Sequence, residues 1–169
     1  MNRKVVNKII YFVYLKLRKW LSPLIYIIVK RLFYNDDLSD RWEEIREYGK
    51  YDFQEEILSY DYRWDYNNGY LDFSLQEPNF FFEEREWFRD CDDFARMWYW
   101  WAEYRDYDVW EVVVWNGLKS SHMITVYKDE DGYWLCNYRV SGIYESLKGA
   151  IESLDKYDGY LVYRSSKQG

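Results

Sequence analysis

In the run CDDFARMWYWWAEYRDY (91 to 107), Phe94, Ala95, Trp98, Trp101 and Ala102 recur at three- and four-residue intervals. That spacing predicts a helix with a broad apolar face, and acids in its first turn with Arg105 near its end suit the helix dipole. Beyond it the pattern changes. DVWEVVVW (108 to 115) and SHMITVYK (121 to 128) are β-branched and aromatic and read as strands. DEDG (129 to 132) is a tight turn into a third strand, YWLCNYR (133 to 139). YESLKGAIESLD (144 to 155) returns to helical spacing, KYDG turns the chain, and YLVYR closes as a last strand. Helix, three strands, helix, strand is the order of an α+β domain, with a buried helix packed on an antiparallel sheet.

Upstream the pattern is weaker. LSDRWEEIREYG (38 to 49) predicts a short helix, with Asp40 and Glu43 at capping-box spacing and Gly49 as its stop. Residues 51 to 69 hold many Tyr and Asp without a clear period and read as irregular. Leu71, Phe73 and Leu75 alternate as on a strand that Pro78 closes.

The first 34 residues differ in kind, carrying eight Lys or Arg and no acid, whereas residues 35 to 169 carry fifteen basic and thirty acidic residues. Their apolar run is broken by Lys16, Arg18, Lys19 and Pro23, too soon for a spanning helix and without a signal-peptide cleavage pattern. At 100° per residue the cations gather on one side, giving an amphipathic basic helix kinked or split at Pro23. The division is therefore a helical extension, 1–34, and a globular domain, 35–169. The extension can lie on an anionic membrane surface, dock on a protein partner, or cover its own domain. Nucleic acid is not expected, since the acidic remainder repels phosphate.

Aromatic residues make up 23% of the chain, which suits an aromatic core, with the WYWWAEY run as core and cleft wall. Two cysteines 45 positions apart make no disulfide scaffold and lack the paired spacing of a zinc site, so neither a metal nor a cofactor is expected. With one histidine, His122, any imidazole chemistry uses that residue.

The candidate chemistry starts at RDCDDF. If Asp90 caps the helix, Cys91 is its first residue, where unpaired N–H groups and the dipole favour a thiolate. Asp92 and Asp93 oppose this, so a cation is needed, and His122 at the head of a central strand is able to supply it and to act as general base and acid. A four-residue turn pairs residues 128 and 133, which brings Asn137 within reach of His122 to fix its tautomer. Each residue also has a plainer reading: Cys91 as a small buried hydrophobe, His122 as a hydrogen-bonded core residue, Asn137 as a turn cap. Cys136 reads as a structural strand residue.

DCDDFA opening a helix, followed by HMITVYKDEDGYWLCN, resembles the transglutaminase-like branch of the papain-like cysteine peptidases, especially small bacterial and phage members, over about residues 86 to 164. The resemblance implies a papain-like fold with Cys91, His122 and Asn137 as its catalytic triad, acting on a protein or peptide substrate by hydrolysis or acyl transfer. It also implies a bacterial or phage source, with the protein cytoplasmic in the host or virion-associated, and peripheral at a membrane if the extension docks there. Members often carry Leu-Asp-Asn where this chain has LCN, so Cys136 stands in the aspartate position. Either Asn137 takes the papain-like role, or the chain is a non-catalytic relative serving as an interaction module. Trp87 and Gln76 are positional candidates for oxyanion contacts.

Overall fold

The computed structural model describes residues 40–60, 81, 90–117 and 120–166, together with seven helical positions between 9 and 21. The remainder of the basic extension lies outside the described residues, as do the strand expected around Leu71, Phe73 and Leu75, and the candidates Gln76 and Trp87.

Two short helices, α1 (Asp40–Ile45) and α2 (Lys50–Leu58), precede the long helix α3 (Cys91–Tyr104). Strands β1 (Asp108–Asn116), β2 (Ser120–Lys128), β3 (Tyr133–Asn137) and β4 (Arg139–Tyr144) follow, then helix α4 (Leu147–Glu152) and strand β5 (Gly159–Ser165). The five strands form one antiparallel sheet in the order β4-β3-β2-β1-β5. The fold is α+β, with helix α3 packed against an antiparallel sheet.

Both faces of the sheet are covered, which is why VVVW and ITVY are nearly continuous apolar runs rather than alternating ones. Towards α3 the sheet presents Val109, Val113, Trp115, Met123, Tyr127 and Cys136. Towards α4 it presents Val112, Val114, Ile124, Val126 and Leu135, which pack on Ala150 and Ile151. Each such large side chain contributes roughly 1.5–3 kcal/mol on burial, so the central strands are strongly fixed in register.

Three sequence expectations change. Residues 51–69 are not irregular throughout, because Lys50–Leu58 is helical and buries Phe53 and Ile57, one turn apart. Phe53 lies edge-on to Trp98 at 5.1 Å and stacks on Trp101 at 5.5 Å, and Gln54 accepts from Val140 N–H at 2.7 Å, so aromatic and polar contacts together hold a helix whose other positions are mostly polar. Asp40 is the first residue of α1 rather than its cap, and Gly49 stands as the N-cap of α2. The predicted three-strand meander has a fourth strand, Arg139–Tyr144, where Arg139 was read as the end of the third strand, Tyr144 as the start of the next helix, and the residues between were given no element. It is mostly exposed, so burial writes no alternation into it. Only Tyr138 separates Asn137 from its partner Arg139, and that reversal puts Tyr138 at φ 62, a left-handed backbone unusual for a bulky residue.

Candidate active site

Helix α3 begins at Cys91 because Asp90 caps it. The extended backbone of Asp90 (φ −101°, ψ −161°) lets its carboxylate accept from Asp92 N–H at 3.2 Å, while Asp90 N–H donates to the Asp93 carboxylate at 3.0 Å. This reciprocal pair satisfies two N–H groups that a helix start otherwise leaves exposed. Cys91 is thereby the first helical residue, half-buried, and packs with Ala95 against Val113, Trp115 and Met123. Asp92 and Asp93 stand in the first turn of the helix as expected, and both are buried, at 2% and 0% exposure.

The helix is fixed to the sheet by polar contacts that are themselves buried. Thr125 Oγ1 donates to the Ala95 carbonyl at 2.6 Å. One turn from Asp92, the Arg96 guanidinium donates to the Glu111 carboxylate of β1, at 1% and 0% exposure, and Arg164 of β5 stands 3.7 Å from the second Glu111 oxygen. Burial works against the charge on Arg96, and the adjoining Glu111 more than restores it, so its pKa ends above the ordinary value. Nothing in the spacing of DVWEVVVW marked Glu111 as an ion-pair partner. Its place among apolar neighbours was the available signal, since an acid there needs a compensating cation.

His122 and Asn137 meet directly. The hairpin pairs Lys128 with Tyr133 and continues to Thr125 and Cys136, as the turn length predicts. Beyond that register the His122 Nε2 and Asn137 Oδ1 atoms are 2.6 Å apart. The amide oxygen only accepts, so Nε2 carries the hydrogen and Nδ1 keeps the lone pair of a base. The imidazole lies between two tyrosines, Tyr138 with its ring centroid at 5.3 Å and Tyr157 near-parallel at 6.2 Å.

Burial lowers the His122 pKa from 6.5 and the Lys156 charge adds to this, while the Asn137 hydrogen bond and the field of Asp92 act in the opposite direction. The net direction is down. A standing imidazolium, the cation expected from the sequence, is therefore disfavoured near neutral pH, and the ring is a neutral base in its resting state.

Three relations link this pair to the start of α3. Met123, next to His122 on β2, is in the cluster that holds Cys91. Tyr138 touches both His122 and Phe94, three residues after Cys91, with ring centroids 5.3 and 5.5 Å away. Asp92, next to Cys91, is close enough to act on the imidazole. Thus His122 and Asn137 are in contact, and Cys91 is held at the same end of the sheet.

Tyr138 and Tyr157 were not anticipated as neighbours of His122. The first depends on a backbone reversal that the sequence YWLCNYR does not announce, and the second on where the KYDG turn places its tyrosine. Tyr157 also lines a cleft of about 640 Å³ with Val114, Trp115 and Tyr160 on one hand and Glu152, Asp155 and Asp158 on the other. That volume is in the range of small-ligand sites. Gly159 makes room for one wall, since a Cβ there would come within 2.6 Å of the Trp115 ring.

Cys136, expected as a strand residue, is 1% exposed on β3, and burial pushes its thiol pKa well up, so it is a packing residue rather than a reactive one. Asp90, Cys91 and Asp92 bring three potential metal-ligating atoms within 4.8 Å of one another. Helix capping accounts for that closeness without an ion. No protein family, curated protein or solved structure matches the chain in comparisons of sequence and fold.

Proposed function

We propose that Cys91, His122 and Asn137 form the site of a cysteine-dependent amide hydrolase or acyl transferase, in the manner of the transglutaminase-like, papain-like enzymes that the sequence resembles. The observation that carries this reading is the 2.6 Å bond between His122 and Asn137, which orients a half-buried imidazole with Nδ1 as its base. As Cys91 Sγ attacks the substrate carbonyl carbon, its proton passes to His122 Nδ1. The tetrahedral adduct collapses, the C–N bond breaks, and the departing amine takes that proton to leave a thioester on Cys91. Water or a second amine then attacks the thioester, gives a proton through the same nitrogen back to sulfur, and releases an acid or a new amide.

The lowered pKa of His122 suits this sequence, because a general base must be unprotonated when it acts. The cleft beside Tyr157 offers the substrate chain aromatic rings together with the carboxylates of Glu152, Asp155 and Asp158. The competing reading, a non-catalytic interaction module, is favoured by one observation: Asp90, Asp92 and Asp93 are all buried around Cys91, and negative charge disfavours the thiolate intermediate.

The test is iodoacetamide labelling of Cys91, followed by mass spectrometry across pH in the wild type and in Cys91→Ala, His122→Ala and Asn137→Ala. The catalytic reading expects labelling near pH 6 to 7, below the ordinary thiol pKa of about 8.5, that is lost with His122. Labelling that follows an ordinary thiol titration and ignores His122 overturns it.

A further inference from the structure

The seven described positions of the N-terminal segment, Ile9, Phe12, Val13, Lys16, Leu17, Trp20 and Leu21, are all helical. Their spacing of three and four residues puts them in one stripe. Six are apolar, and all six are open to solvent, from 40% for Leu21 to 76% for Trp20. Lys16 lies over the Phe12 ring, 5.5 Å from its centroid. Of the three occupants that the sequence left open, this exposure removes one, because a stripe covered by its own domain is not 40% or more open along its length.

We infer that this stripe is a docking surface for an anionic phospholipid bilayer, on which the segment lies parallel to the plane. Charge complementarity carries the choice. The first 34 residues hold eight cations and no anion, five of the eight being lysine, a residue depleted at protein interfaces and attracted by anionic headgroups. A one-sign basic segment with a Trp, Phe and Leu stripe is the composition of an interfacial helix. Lys16, Arg18, Lys19 and Pro23 interrupt the apolar run of the segment too soon for a spanning helix, so the contact is peripheral. The rest of the chain has a formal charge of −15 and is repelled by the same surface, which leaves the basic segment as the contact.

The experiment is co-sedimentation of the full chain with phosphatidylcholine vesicles, with and without phosphatidylglycerol, at low and high salt. It is repeated with Leu17→Asp/Trp20→Asp and with Lys16→Gln/Lys19→Gln, and each protein is checked by circular dichroism and by sedimentation velocity without lipid. The expected result is pelleting with anionic vesicles only, weakened by salt. The aspartate pair should reduce affinity about tenfold or more, and the glutamine pair about fivefold per charge removed. No pelleting, equal pelleting with neutral vesicles, or insensitivity to Leu17→Asp/Trp20→Asp overturns the inference. So does self-association that those aspartates abolish in the absence of lipid binding, which would assign the stripe to a second copy of the chain.

Discussion

Replacing Glu111 by alanine removes the carboxylate that offsets a buried guanidinium. Arg96 is 1% exposed, and Glu111 is the largest influence holding its charge against the cost of burial. Arg164 is 29% exposed and turns to water when Glu111 is lost, but Arg96, inside the α3–β1 contact, does not. A buried ion left without its partner costs about 3–5 kcal/mol. Against a total stability of about 5–15 kcal/mol, this loss is large. At about 2–4 °C per kcal/mol for a chain of this size, it lowers the melting temperature by roughly 6–20 °C. The control is Arg96→Met/Glu111→Leu, which removes both charges at similar volume and should return stability to within about 2 kcal/mol of wild type. Urea unfolding followed by tryptophan fluorescence measures each variant. Glu111→Ala at a cost under about 1 kcal/mol, or a double variant no better than the single one, would refute the claim that α3 is held by a compensated buried charge.

Asn137→Ala should lower the His122 pKa further, because the lost hydrogen bond raises it. Histidine NMR titration reads that shift, and Asn137→Asp, which keeps an acceptor, should prevent it. The depressed His122 pKa also predicts a pH dependence of stability. As pH falls through 6.5 the unfolded chain takes up a proton that the folded ring resists, so stability is full above 6.5 and declines towards the folded pKa. His122→Gln should flatten that profile in denaturation midpoints measured from pH 7.5 to 5. Asp90→Asn keeps the side-chain acceptor of the cap and removes its charge, so Cys91 should alkylate faster at fixed pH with little loss of stability. Asp90→Ala, by contrast, removes the acceptor and should cost about 1 kcal/mol in urea unfolding.

The sequence showed most clearly the elements whose burial is written into a long pattern. Helix α3 and strands β1, β2 and β3 fall in this group, because each places many apolar side chains in a core. Helix α2 was hidden because only two of its residues, Phe53 and Ile57, are fully buried, and the rest of its hold is polar: Gln54 accepts from Val140 N–H and Lys50 lies over the Trp134 ring. Strand β4 was hidden because an exposed edge strand with Gly142 at φ 59 has neither alternation nor strand composition. At the candidate site, hairpin arithmetic was enough to bring Asn137 towards His122, since a short turn fixes register. The burial of the acids around Cys91, and the ring of Tyr157 beside the imidazole, depend on contacts between segments far apart in sequence, which local pattern does not encode.

Tyr138 places two opposing demands on one position. Its backbone, at φ 62, is of a kind that Gly or Asn adopts more readily, and the indole N–H of Trp98 donates to its carbonyl at 3.1 Å. Its ring, which Gly or Asn lacks, is the piece that touches both Phe94 and His122. Sequence drift at this position therefore has a direction: relaxed selection favours the smaller residue that fits the turn, and only a requirement on the ring keeps an aromatic there. Among homologues, an aromatic retained at position 138 together with His122 and Asn137 would mark lineages in which the orientation of the imidazole is under selection. Glycine or asparagine at 138 would mark those in which the hairpin survives as architecture alone.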